Sequence, residues 1–70
     1  MYVIDLAGPQ GNAFALMGIL KRELKGEGRS QDEIKVILDD MKSSDYNHLL
    51  SIFKKHLVDR YTLLNDFDDM

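Results

Sequence analysis

A chain of 70 residues, 44% hydrophobic and 30% charged with a single proline, has room for one small domain and is not composed like a disordered or fibrous protein. Without cysteine it has no disulfide framework, thiol nucleophile or cysteine-based zinc site. The net charge of −3 is unevenly placed: residues 1–65 carry nine basic and nine acidic side chains, and Asp66, Asp68 and Asp69 supply the whole excess.

The first predicted element is a strand. Tyr2, Ile4 and Leu6 alternate with Val3 and Asp5, the period of a half-buried β-segment. Ala7-Gly8-Pro9 stops it. Acidic Asp5 and the Gly8-Pro9 turn also interrupt the apolar start before a signal-type hydrophobic core develops. The longest apolar run, Ala13 to Met17, is far too short to span a membrane, so an intracellular, cytoplasmic protein is expected.

From Asn12 the period becomes helical. Ala13, Leu16, Met17, Leu20 and Leu24 form one stripe, and Lys21, Arg22, Glu23 and Lys25 fill the other side. Gly26 ends this helix, with Lys25 placed against the negative end of the dipole. Ser30-Gln31-Asp32-Glu33 has capping-box spacing and opens a second helix, whose stripe is Ile34, Ile37, Leu38 and Met41. Ser44 is the expected cap of a third helix starting at Asp45, with Tyr46, Leu49, Leu50, Phe53 and Leu57 as its apolar side. Arg60 to Asn65 read as a closing strand. The predicted domain is therefore residues 1–65, followed by an acidic tail at 66–70.

This gives an α+β chain in the order β-α-α-α-β. Short connections make successive elements run back and forth, so the two strands should be parallel neighbours joined by a right-handed three-helix crossover. Both strands would then be edges. A chain this short buries only about 60% of the surface it exposes when unfolded, so a homo-oligomer that completes the sheet and enlarges the core is expected.

The most distinctive segment is Asp5 to Phe14, a glycine-bearing turn that leads into a helix N-terminus. Free backbone N–H groups and the positive end of the dipole suit a phosphate or carboxylate there. Gly8, Gln10, Gly11 and Asn12 are the ligand-binding candidates. Lys21, Arg22 and Arg60, reaching in from a neighbouring subunit, are candidate counter-charges. The spacing matches neither the phosphate-binding loop nor the dinucleotide fingerprint, and a plain turn capped by Asn12 accounts for the same residue types. Gly11, Ala15 and Gly18 make a small-residue strip along the helix. Gly18 inside a helix costs about 1 kcal/mol relative to alanine, which points to a steric need, close intramolecular packing before ligand contact.

Other constellations are weaker. His48 and His56 lie eight residues apart, about 12 Å along a helix, too far to share a metal. No metal site or cofactor is implied, and with no acid–base pair placed together by spacing, enzymatic chemistry is not expected. The second and third helices imitate a helix-turn-helix, yet only Lys54 and Lys55 are basic among the outward residues Asn47, His48, Ser51, Lys54 and Lys55. A neutral body offers no field for phosphate backbones, so nucleic-acid binding is not expected.

The string Ile4-Asp5-Leu6-Ala7-Gly8-Pro9-Gln10-Gly11-Asn12-Ala13-Phe14-Ala15-Leu16-Met17-Gly18 resembles the opening of small bacteriophage accessory proteins of unassigned function, and the likeness extends through Asp45-Tyr46 to Phe53 and the closing strand. The resemblance implies a phage or prophage origin, a host bacterial cytoplasm if phage-encoded, and action on host machinery or sequestration of a host nucleotide signal. It transfers no functional residue. The expected function is a non-enzymatic, oligomeric binder of an anionic or nucleotide-like ligand at the strand-helix turn. The alternative is an inhibitor or adaptor that docks on a host protein, or a self-assembling structural component.

Overall fold

The computed structural model describes residues 2–65, so the acidic tail at 66–70 lies outside the described residues. Strand β1 (Tyr2–Asp5) leads through a 3₁₀ turn (Pro9–Gly11) into helix α1 (Ala13–Gly26). Helices α2 (Gln31–Lys42) and α3 (Tyr46–Leu57) follow, then strand β2 (Tyr61–Leu64). The order is β-α-α-α-β, and the two strands pair in parallel, as their connectivity requires.

Each helix begins at a side-chain cap. Asn12 Oδ1 accepts from the Ala15 N–H at 2.8 Å, and Ser30 Oγ accepts from the Glu33 N–H at 3.1 Å. The reciprocal half of the expected capping box does not form, because the Glu33 carboxylate is taken by Arg29 at 3.1 Å. At α3 the cap is Asp45, one residue later than expected from Ser44: its carboxylate accepts from the His48 N–H at 2.9 Å. A carboxylate at this position satisfies the same orphan N–H and also complements the positive end of the dipole. Helix α1 stops where Gly28 turns left-handed (φ 84°), with the Gly28 N–H bonded to the Lys25 carbonyl and the Arg29 N–H to that of Leu24.

The register pairs Tyr2 with Tyr61, Val3 with Thr62, Ile4 with Leu63 and Asp5 with Leu64. Paired residues share a face, so Ile4 and Tyr61 turn inward and are buried, while Val3 and Leu64 stay exposed on the outer face. The core is Leu16, Leu20 and Leu24 from α1, Ile34 and Met41 from α2, and Leu49, Leu50, Ile52, Phe53 and Leu57 from α3. Ile52 joins the expected α3 stripe, whereas Tyr46 stays partly exposed. The Phe53 ring meets Tyr61 edge-on at 5.7 Å, and Tyr2 stacks on Tyr61 at 5.5 Å, so Tyr61 joins β2 to both α3 and β1 through aromatic contacts. Among the described residues no helix is long and apolar enough to cross a membrane.

Candidate functional site

The strand-to-helix turn is closed on itself. The Gly8 N–H bonds the Asp5 carbonyl at 2.9 Å, the Gly11 N–H bonds the Gly8 carbonyl at 3.0 Å, and the Ala7 N–H bonds the Asp5 carboxylate at 2.9 Å. Asn12 works twice, capping α1 through its oxygen and donating through Nδ2 to the Pro9 carbonyl at 2.8 Å. Gly11 is buried, and a Cβ there would sit 2.0 Å from the Leu6 carbonyl oxygen, so this glycine lets two backbone segments touch. The Tyr46 hydroxyl donates to the Gly11 carbonyl and ties the start of α3 to the turn. Gln10 is exposed. Asn65, left-handed at φ 60°, closes the end of β2 by donating to the Asp5 carboxylate. That bond, with the Ala7 N–H, holds the Asp5 carboxyl below its usual 3.8.

Arg22 and Arg60 are brought together elsewhere. Arg22 lies ten residues beyond Asn12, about 15 Å along the helix, and its guanidinium reaches the Tyr61 hydroxyl at 3.4 Å. Arg60 pairs with Glu23 at 3.3 Å, with Glu27, and with Asp59 at 3.6 Å, and Tyr61 donates to Glu23 at 3.2 Å. Hydrogen bonding from Arg60 holds the Glu27 carboxyl below its usual 4.5, with Arg29 adding to this and partial burial opposing it. Arg22 meets the Tyr61 hydroxyl and Arg60 meets carboxylates of its own chain, and together they fasten β2 to the last turns of α1.

A third region is different in kind. The four-residue link between α1 and α2 makes them antiparallel neighbours, and the groove between them, about 490 Å³, is lined by Met17, Lys21 and Lys25 from α1 and by Gln31, Ile34, Lys35, Leu38, Asp39 and Lys42 from α2. Its floor is apolar: Ile34 is buried, and Met17 and Leu38 are half-buried. Among the described residues four ammonium groups stand around it against one carboxylate. Asp39 is shared by Lys35 at 3.3 Å and Lys42 at 3.8 Å. Lys21 and Lys25 have no carboxylate within 4.0 Å among the described residues.

Sequence reasoning singled out Lys21 but not its company. Lys21 and Lys25 are spaced i, i+4, and Lys35, Leu38 and Lys42 recur at helical spacing, so each helix offers a detectable row of lysines. That the two rows face one groove follows only from how the helices pack. The role expected for Gly18 also changes. A Cβ there would meet nothing within 4 Å among the described residues, so their packing does not require this glycine, in contrast to Gly11.

His48 bonds Asp40 at 3.0 Å across α2 and α3. Among the described residues no three His, Asp or Glu side chains gather into a set able to hold a metal ion. Comparison with protein-family models, with curated proteins and with solved structures found no match to the chain.

Proposed function

We propose that this chain is a small non-enzymatic accessory protein that captures a phosphate-bearing small molecule in the groove between α1 and α2. The observation that carries the reading is the charge of the groove: among the described residues, four lysines against a single carboxylate, over an apolar floor. A volume near 490 Å³ lies within the span of small-molecule sites, roughly 300–1,000 Å³. Lys21 and Lys25 offer ammonium groups with no carboxylate to displace among the described residues, and Lys35 and Lys42 can turn from Asp39 toward an incoming anion. Gly8, Gly11 and Asn12 serve this reading as the frame that fixes where α1 begins, with Gln10 exposed beside them, and Arg22 and Arg60 as the fastening of its far end. In the phage setting implied by the resemblance of the opening segment, holding a nucleotide-like host signal would act as counter-defence by sequestration.

Calorimetric titration with tripolyphosphate at low ionic strength tests the reading. Binding is expected for the natural chain, weakening as salt screens the lysines. The double variant Lys21→Glu, Lys25→Glu should lose at least about tenfold in affinity, since it replaces two attractions with two repulsions near the anion. Both side chains are exposed, so its thermal melting should stay close to that of the natural chain. Absence of binding in the natural chain would sink the proposal.

A second reading, self-assembly or docking on a host protein through the sheet, is favoured by the exposed Val3 and Leu64 on its outer face and by strand edges left open in a two-stranded sheet. Light scattering decides on self-assembly: a dimer mass supports it, and a monomer mass at micromolar concentration removes it.

A further inference from the structure

Phe14 is the most exposed large hydrophobic residue among those described, at 87%, although it stands in the first turn of the helix that supplies the core leucines. Most of what burying a phenyl ring offers to folding is forgone there. One turn further along α1 is Gly18, whose missing side chain leaves open space and which packing does not require. Lys21 and Lys25, which line the groove, continue the same side of α1, so Phe14, Gly18, Lys21 and Lys25 follow one another at four, three and four residues in a stripe that runs from the start of the helix to the groove.

The distances along this stripe have a chemical meaning. With a rise of about 1.5 Å per residue, Gly18 lies roughly 6 Å from Phe14, Lys21 about 10 Å, and Lys25 about 16 Å. A flat aromatic ring laid on the Phe14 side chain over the bare backbone at Gly18 would be one sugar's length from the first ammonium group and would run its phosphates toward the second. Aromatic face, unobstructed shelf and paired cations fall in the order base, ribose, phosphates.

Resting on the capture of a phosphate-bearing molecule in the groove, we infer that the ligand is a free nucleotide whose base stacks on Phe14 over Gly18 and whose phosphates are held by Lys21 and Lys25. Stacking on an aromatic side chain tolerates any base, so the site selects for the presence of a base and a phosphate chain more than for base identity. The groove ends within two short helices, which suits one nucleotide and not a polynucleotide track.

The test titrates the full chain with ATP and with tripolyphosphate, which carry the same phosphate chain with and without a nucleoside. ATP should bind about tenfold tighter, the usual worth of one base stacked on an aromatic ring. Phe14→Ala and Gly18→Leu should each erase that margin, the first by removing the platform and the second by filling the shelf, while tripolyphosphate affinity stays unchanged in both. Neither position is packed in the core, so circular dichroism should show both variants folded. Equal affinity for ATP and tripolyphosphate in the natural chain would overturn the stacking inference and leave anion capture standing. Failure of both to bind would overturn both. Affinity that appears only with oligothymidylate and rises with its length would also overturn it, in favour of a single-stranded nucleic acid.

Discussion

The strand-to-helix turn and the α1–α2 groove lie along the same helix, yet they use their polar groups in opposite ways. In the turn, Gly8 and Gly11 donate to carbonyls of their own segment, Asn12 bonds at both ends of its amide, and the Asp5 carboxylate is taken by Ala7 and Asn65. In the groove, Lys21 and Lys25 carry charge that no carboxylate among the described residues answers. The contrast repeats at the glycines: Gly11 is pressed against the Leu6 carbonyl, whereas Gly18 faces open space. A conspicuous glycine-and-cap motif can serve to join two elements. The proposed ligand is assigned to the groove because of its unmatched charge.

Gly11→Ala probes the comparison from the side of the turn and should have the largest effect on stability. A methyl group 2.0 Å from a backbone oxygen forces the turn apart, and destabilisation of about 3 kcal/mol is expected from overpacking against main chain. For a domain this small that is a large share of the total. Chemical denaturation measures it; a loss under about 0.5 kcal/mol would mean that the turn is not closed as described.

Gly18→Ala should act in the opposite direction and less strongly. Nothing obstructs the new methyl, so the variant gains the helix propensity that glycine forgoes, about 0.5–1 kcal/mol in favour of folding. Destabilisation instead would show that Gly18 is packed and would remove the contrast with Gly11.

The smallest effect concerns acid. The folded-state pKa of Asp5 lies below its ordinary value of 3.8, so between the two the unfolded chain binds the proton and the folded chain does not. The stabilisation from Asp5 is therefore fully present above the ordinary value and is lost as pH falls below 3.8 through the folded pKa. Asp5→Asn should flatten this part of the acid limb in melting curves recorded between neutral pH and strong acid. An unchanged acid limb would mean that the bonds from Asn65 and Ala7 do not favour the charged form.

Much of the fold was legible because its determinants are local. The leucines at 16, 20 and 24 set the inward face of α1, Asn12 and Ser30 cap helices where their side chains predict, and the count of reversals makes the strands parallel. The local errors arise where two residues compete for one role: Asp45 displaces Ser44 as cap, and Arg29 draws Glu33 out of the capping box. The groove was not legible in the same way. Lys21 and Lys25 on one helix and Lys35 and Lys42 on another are ordinary solvated positions until the helices pack side by side. Likewise, Gly11 and Gly18 look alike as small residues at helical spacing, and only the course of Leu6 across the start of α1 separates them.

The most direct test of the central contrast is to follow backbone amide resonances of the full chain during titration with ATP. The account predicts that shifts concentrate on α1 from Phe14 to Lys25 and on α2 from Lys35 to Lys42, with Gly8, Gln10 and Gly11 little changed. Shifts concentrated at Gly8, Gly11 and Asn12, with Lys21, Lys25, Lys35 and Lys42 still, would contradict it and return the ligand to the turn.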